Sequence, residues 1–398
     1  MRRTRKAIDD AKTGFGYAFI IFTSPFISMR ILELSSSIPR HEYTTQEMIE
    51  NFPCELPESV KQNALNLGVS KRAFINPVPR RDNSEIMLSE TELVDLCIDV
   101  CKNAVGKAGI SLSRIGYFIT TYDVNPILSP GLSQLLVRKI GFDPYVKHVN
   151  AQGIASTAFP KSLQLAEDHL AAHPQDNVLI CVSGVSSYWF QNQVRGLNGV
   201  LEIRRINEIE DSSKRQMEIR RWIATMEYFL FGDAVVAAVV ANQGVGVTVK
   251  KTAEVTNLKE ADCFAGYSRL SSLPESFNFG FHSYLDKEIP NLGVKYTSLA
   301  LSKLLGDSLE RTIKVSKKWA VHTGSEKILD TLSKHLGVEA QKLKESHDVL
   351  KQHGNLSGAS LPFILEKIIS GNNLSKGDVV LMVGYGWGFS AAASLLEV

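Results

Sequence analysis

Short apolar runs that alternate with helical patterns constrain the fold of this chain more than any other feature of its sequence. The run N-V-L-I-C-V-S at 177–183 and the run V-V-A-A-V-V after Ala234 are typical of strands buried on both faces of a sheet. The second half alternates again, with strands predicted at 319–321 and 379–383 and helices near 295–305, 325–336 and 357–369. Two similar β-α halves around one core predict an α/β fold.

The same pattern divides the chain into an extension at 1–28, a first half at 29–229 and a second half at 230–398. The extension places basic residues at 2–6 before the apolar run 14–22, which superficially resembles a signal peptide. However, Asp9 and Asp10 intervene and the apolar core is short. We therefore expect a loosely attached extension, with the compact fold starting near Met29.

Residues 187–229 interrupt the alternation with a charged insertion. Arginines and lysines are interleaved there with acidic residues, and Ile219, Ile223 and Met226 give its second part an apolar helical face. One interpretation is a solvated helical cover over one face of the fold. The other is a basic docking surface or a lid over a substrate tunnel.

Composition excludes several classes of partner and ligand. The net charge of +2 among 398 residues gives no reason to expect nucleic acid or an anionic membrane, and no run approaches the ~20 apolar residues of a membrane span. The five cysteines form neither a C-x-x-C pair nor a cluster with histidine. They argue against zinc and against a disulfide framework, and they favour a reducing, cytosolic setting; no metal site is expected.

The stretch 146–168 carries the first candidate for chemistry. It begins as a strand, tightens at Gln152-Gly153 and continues as a helix from about Ser156, with Phe159, Leu163 and Ala166 on one face. A residue at a helix N-terminus lies where backbone N–H groups and the helix dipole stabilise an anion. Ser156 is therefore either a helix cap or a nucleophile.

Two further polar residues occupy similar junctions. His322 ends the strand W-A-V-H, and Asn355 lies in H-G-N-L-S-G-A-S just before a helix. Together with Ser156 they make a chemically coherent set: the serine accepts an acyl group, while the histidine and asparagine N–H groups hold a thioester carbonyl as it becomes an enolate.

These segments resemble the thiolase-fold condensing enzymes, namely the type III polyketide synthases and β-ketoacyl-carrier-protein synthase III. W-A-V-H-T-G-S-E-K resembles the segment of their catalytic histidine, H-G-N-L-S-G-A-S that of their asparagine, and L-F-G-D-A their mid-chain L-F-G-D-G. The resemblance covers roughly 30–398. It implies a thiolase-like fold, in which two similar β-α halves form a layered αβαβα core, and catalytic roles for Ser156, His322 and Asn355. A gapless fit puts Ser156 at the position of the family's catalytic cysteine.

The resemblance also implies substrate-binding positions. G-F-H-S-Y-L-D-K-E-I-P resembles the segment with a gatekeeper phenylalanine, which suggests Phe281, and Gly68–Arg72 resembles a turn near the coenzyme A entrance, which assigns Lys71 and Arg72 to its phosphates. G-Y-G-W-G resembles the family's terminal glycine loop, and its members here are Gly384, Gly386 and Gly388.

The implied activity is Claisen condensation of an acyl-thioester, on coenzyme A or a carrier protein, with a malonyl-type or β-ketoacyl extender. We expect no permanently bound cofactor. We also expect the chain to form a homodimer. The serine leaves three explanations open: a native nucleophile, a deliberately substituted cysteine, or a partner subunit that has lost condensation. Acyl transfer to an oxygen or nitrogen acceptor is a further alternative.

Overall fold

A nine-stranded mixed sheet forms the frame of the protein. The computed structural model describes residues 29–78, 89–122, 129–270, 281–371 and 373–398; the extension at 1–28 lies outside them. The strands are β1 Arg30–Ser37, β2 His41–Thr44, β3 Lys71–Phe74, β4 Ile115–Tyr122, β5 Lys147–Ala151, β6 Asn177–Ser183, β7 Val235–Ala241, β8 Val247–Thr256, β9 Gly266–Leu270, β10 Phe281–Leu285, β11 Lys318–Val321, β12 Val379–Gly386 and β13 Ser390–Glu397.

The order of the large sheet is β11-β12-β13-β8-β1-β7-β6-β4-β5, and β2-β3 and β9-β10 form two small antiparallel pairs. Strand β4 is parallel to β5 and β6, and β11 is parallel to β12. The carboxyl ends of β5 and β11 lead directly into the turns that hold Ser156 and His322.

Helices connect and cover these strands. They span Thr45–Glu50, Glu58–Leu65, Glu90–Lys107, Leu132–Ile140, Ala158–Ala172, Ser187–Val194, Ile203–Asn207, Ser212–Leu230, Glu260–Cys263, Ile289–Leu305, Leu309–Val315, Glu326–Leu336, Lys344–His353 and Ser360–Ser370. Short 3₁₀ turns at Ala155–Thr157 and Ser357–Ala359 precede two of these helices. None of the helices in these ranges is long and apolar enough to cross a membrane.

Two buried helices, Ala158–Ala172 and Ser360–Ser370, form the central layer and contact strands of both halves. The alternation of β6 explains the layers: Val178, Ile180 and Val182 pack towards these helices, whereas Leu179 and Cys181 pack against the outer helices of the first half. Strand β12 alternates in the same way between the central layer and the outer helices of the second half. The αβαβα layering predicted from the sequence is confirmed.

The boundary predicted at 230 is wrong by one strand. Strand β7 lies between β1 and β6 and pairs antiparallel with both, so it belongs to the first half. The second half begins with β8, which pairs along its length with β13. The apolar run at 235–240 indicates a buried strand, but it carries no information about which strands it joins.

The insertion at 187–229 is helical, as the sequence indicates. Its apolar side packs into a separate core with the helices at 45–65, through Val194, Leu197, Ala224, Met226 and Phe229. Exposed arginines pair with neighbouring acids, as in Arg204 with Glu208 and Arg205 with Glu202. These pairs support the solvated cover; a docking or lid role stays a prediction.

Candidate active site

Ser156 lies in a sharply turned connection between β5 and the first central helix. Gly153 has φ +76°, and Ala155 has φ +45°, a left-handed conformation that costs a residue with a side chain free energy. Ser156 is in the 3₁₀ turn that follows, and the α-helix begins two residues later at Ala158 with Thr157 at its N-cap. The helix-cap interpretation of Ser156 is therefore wrong.

The Ser156 hydroxyl instead faces a side chain of the other half. Its Oγ lies 2.9 Å from Nε2 of His322, and both residues are about 95% buried, with 5% and 4% of their surfaces exposed. His322 directly follows β11, and its backbone N–H donates to the carbonyl of Val383 in β12. The second half of the fold thus fixes the histidine against the serine of the first.

The surroundings of His322 keep its ring neutral. Burial lowers the pKa of His322 to about 3, because an imidazolium would lose its hydration without gaining a carboxylate partner. Nδ1 has no hydrogen-bond partner among the described residues, and the ring of Tyr385 packs edge-on at 5.2 Å. With no partner on Nδ1 to select a tautomer, Nε2 can either accept a proton or donate one.

Asn355 is held beside the second central helix by both its backbone and its side chain. Its N–H donates to the carbonyl of Leu230, and its carbonyl accepts from the N–H of Gly232. The side-chain Oδ1 accepts a hydrogen bond from the Ser357 N–H at 2.9 Å. That bond orients the amide so that its NH₂ is the donor left for a ligand.

The Asn355 loop lies directly against the Ser156 turn. A Cβ added to Gly358 would lie 3.1 Å from the Cβ of Ala158 and 3.3 Å from the carbonyl oxygen of Ala155. The two turns are therefore in contact. The structure brings Ser156 and His322 into hydrogen-bond distance and places the Asn355 loop alongside.

The glycines of the G-Y-G-W-G segment make room for the serine rather than for an open cavity. Gly384 and Gly386 end β12, and a Cβ on Gly384 would lie 2.2 Å from the Ser156 carbonyl oxygen. A Cβ on Gly386 would lie 2.7 Å from that of Ala155. Gly388 is in the turn to β13, where its carbonyl accepts from Asn257 Nδ2. Substrate binding by these glycines stays a prediction.

Of the two basic residues assigned to coenzyme A, one is misplaced for that role. Arg72 is fully buried and donates to Thr45 Oγ1 and to the Met48 sulfur; burial also lowers its pKa to about 9. It stabilises the interior beside β3 and offers no surface to a phosphate, contrary to the prediction. Lys71 is half-buried and pairs with Glu42 at 2.9 Å.

Phe281 begins strand β10, and its side chain lies outside the described part of the structure, so the gatekeeper role stays a prediction. For metals, the described residues bring together one group of possible ligands, Glu326, Asp330 and His347, with ligand atoms within 4.8 Å of one another. Oε1 of Glu326 already accepts a hydrogen bond from Nδ1 of His347 at 2.9 Å. This group is separate from the Ser156 turn.

Comparison with known proteins shows which enzymes the chain resembles. The family model of the C-terminal region of 3-oxoacyl-[acyl-carrier-protein] synthase III matches residues 316–398, the part that contains His322 and Asn355. The chain is thus similar to the thiolase-like condensing enzymes, which are acyl-transferring enzymes of the ketosynthase type.

Particular relatives place it near the type III polyketide synthases. It is 23% identical over 388 residues to the 3,5-dihydroxyphenylacetyl-CoA synthase of Streptomyces toyocaensis, covering 92% of this chain and 90% of the relative. It is 24% identical over 371 residues to the phloroglucinol synthase of Pseudomonas fluorescens, covering 90% of this chain and 96% of the relative. The solved structure of 1,3,6,8-tetrahydroxynaphthalene synthase from Streptomyces coelicolor is similar with a TM-score of 0.76 at 22% identity, covering 92% and 99%.

Proposed function

We propose that this chain loads an acyl group from a thioester onto Ser156 and then joins it to the enolate of a decarboxylated malonyl thioester. The observation that supports this most strongly is the buried 2.9 Å contact between Ser156 Oγ and His322 Nε2. It pairs a nucleophile with a base at the N-terminal end of the first central helix, where a developing oxyanion is stabilised.

In the loading step, Nε2 of His322 accepts the proton of the Ser156 hydroxyl as Oγ attacks the thioester carbonyl. The bond from carbon to sulfur breaks, and the leaving thiolate takes the proton from His322. The products are a serine ester and a free thiol. Because the imidazolium has no carboxylate partner and a pKa of about 3, we expect this step to be slow.

In the condensation step, the malonyl thioester loses carbon dioxide, and the electron pair of the broken bond becomes an enolate. Neutral His322, now donating from Nε2, and the Asn355 amide hold the enolate oxygen. The enolate carbon attacks the serine ester, the ester bond breaks, and Oγ takes up one proton from solvent by way of His322. The product is a β-ketoacyl thioester that carries one more two-carbon unit.

Coenzyme A thioesters are the substrates that we propose, with Lys71 near the entrance, and a carrier-protein thioester is the alternative. Support comes from a relative whose name describes a coenzyme A thioester synthase. We further propose a homodimer, no resident cofactor and a reducing compartment. All five cysteines are free, as a reducing setting requires.

A non-catalytic partner subunit is the second candidate, and the serine at the nucleophile position together with the unassisted His322 favours it. Plain acyl transfer to an alcohol or amine would also use the Ser156–His322 pair but gives Asn355 no obvious task.

The direct test is to incubate the full chain with acetyl-, butanoyl-, hexanoyl- and benzoyl-coenzyme A and to measure its intact mass. We expect one acyl group per chain, located on Ser156 by peptide mapping, and no such adduct in Ser156→Ala. Failure of every thioester to modify Ser156, in a correctly folded chain, would favour the partner subunit.

A further inference from the structure

A buried carboxyl group lies near the Asn355 loop of the candidate site and has no part in the steps above. Glu227 is 1% exposed on the helix Ser212–Leu230. Its carboxyl group lies near the Ser283 side chain on β10, which acts on it as a hydrogen-bond partner, and neither carboxyl oxygen has a further partner among the described residues. A buried acid whose hydrogen-bonding positions are incompletely filled is costly and uncommon in native proteins, so Glu227 is able to bind a polar atom of a ligand.

The backbone connects Glu227 to Asn355 over one helical turn. The carbonyl of Glu227 accepts from the N–H of Phe231, and Phe231 forms a parallel bridge with Asn355. Phe231 also stacks on Phe190 of the helix Ser187–Val194 at 4.4 Å. Glu227 therefore lies one turn from the residue whose backbone holds the catalytic asparagine.

Other buried polar groups without partners lie in the same region. They are Ser183 Oγ and Ser186 Oγ after the end of β6, and Gln191 Oε1 and Gln193 Nε2 on the helix that packs against the helix of Glu227. Gly184, between the two serines, approaches the Leu356 carbonyl oxygen so closely that an added Cβ would lie 2.0 Å from it. The end of β6 therefore lies against the Asn355 loop.

The protonation of Glu227 decides what it can bind. Burial raises its pKa to about 8, and the nearby Ser283 side chain on β10 opposes that rise. At neutral pH the carboxyl group is therefore mostly protonated, so that it offers one O–H donor and one carbonyl acceptor. The O–H donor can bind a keto or hydroxyl oxygen, and the carbonyl acceptor can bind a hydroxyl proton. Because the group is uncharged, it does not repel either oxygen.

We propose that Glu227 recognises an oxygen atom on the bound acyl chain, so that the site prefers a chain bearing a keto or hydroxyl group to a plain hydrocarbon chain. The inference rests on the proposed function, because it takes the chain to be tethered or held beside Ser156 and Asn355. Glu227 is on this account a specificity-determining residue, and it takes no part in bond making.

The test measures binding alone, in the full chain carrying Ser156→Ala so that thioesters bind without reacting. Two matched pairs of probes differ by one keto oxygen: acetoacetyl- against butanoyl-coenzyme A, and 5-oxohexanoyl- against hexanoyl-coenzyme A. Calorimetric titration gives the ratio of dissociation constants within each pair. We expect the oxygenated probe to bind tighter in at least one pair.

Glu227→Leu should reduce that preference about tenfold, the size of effect expected for one lost hydrogen bond in a buried site. Glu227→Gln, which still donates and accepts, should keep most of it. The matched control is Glu218→Gln on the same helix, where Glu218 accepts from Arg221 at 3.0 Å; its ratio should equal that of the parent. Glu227→Met replaces Glu227→Leu if thermal melting finds the leucine variant unfolded.

The inference is overturned if no preference exists, or if the preference survives in the leucine or methionine variant. That outcome leaves the proposed function intact when both thioesters bind and Ser156 is acylated in the parent chain. Absence of any thioester binding would instead contradict the proposed function, and the inference with it.

Discussion

The two central helices begin in almost the same way and present different chemistry. Each follows a 3₁₀ turn, and each turn is entered at a residue with a side chain and a positive φ: Ala155 at +45° and Ser357 at +51°. These are the only residues other than glycine with positive φ in the described part of the chain. Strain of this kind persists where the surrounding structure enforces it, often at functional sites.

The difference lies in how each polar side chain is held. Ser156 turns away from its own helix and meets His322 of the other half, whereas Asn355 is fixed by the N–H of Ser357, two residues along its own loop. A hydroxyl paired with a base can react. An amide whose oxygen is locked by the backbone can only donate. The comparison therefore supports our proposal that loading takes place at the first helix start and enolate binding at the second.

Ser156→Cys should have the largest effect, because it changes the nucleophile and leaves both helix starts intact. A thiol has a reference pKa of ~8.5 and is intrinsically more nucleophilic than a serine hydroxyl. We expect acyl loading to accelerate on the order of a thousandfold, measured by rapid quench and intact mass. If Ser156→Cys is inert with every thioester, the account of the first helix start is wrong.

Gly384→Ala and Gly358→Ala compare the packing behind the two turns. The Cβ added in Gly384→Ala would lie 2.2 Å from the Ser156 carbonyl oxygen. The Cβ added in Gly358→Ala would lie 3.1 Å from the Ala158 Cβ. We expect a loss of about 3 kcal/mol in the free energy of unfolding for Gly384→Ala and about 1 kcal/mol for Gly358→Ala. Loading should fall about 10²-fold in Gly384→Ala, because the nucleophile is displaced.

Gly106→Ala is the control, since nothing lies within 4 Å of the added Cβ and alanine favours the helix by about 0.5–1 kcal/mol. Equal losses in Gly384→Ala and Gly358→Ala, measured by denaturant unfolding, would contradict the packing described at the Ser156 turn.

Local sequence predicted most elements and the chemical set, because strands, helix starts and the His322 and Asn355 motifs are encoded within a few residues. It failed where the answer depends on distant partners. Strand β7 is apolar whichever half it joins, and Arg72 has the same neighbours in sequence whether its side chain points inwards or outwards. Glu227 also went unnoticed within a charged segment, although it lies four residues after Ile223 on the apolar face of its helix.

The most direct test of the difference between the two helix starts uses the variant Asn355→Ala. Acyl loading and condensation are measured separately in this variant. The measurement follows acyl loading on Ser156 by mass and, in the same samples, carbon dioxide release from malonyl-coenzyme A and product formation. Removing one donor to the developing charge typically costs about 10²–10³ in rate.

We predict that Asn355→Ala retains loading on Ser156 within about threefold and loses decarboxylation and condensation by about 10²–10³. His322→Ala, as a comparison, should impair both steps. Near-normal product formation by Asn355→Ala would contradict the condensation mechanism and favour simple acyl transfer.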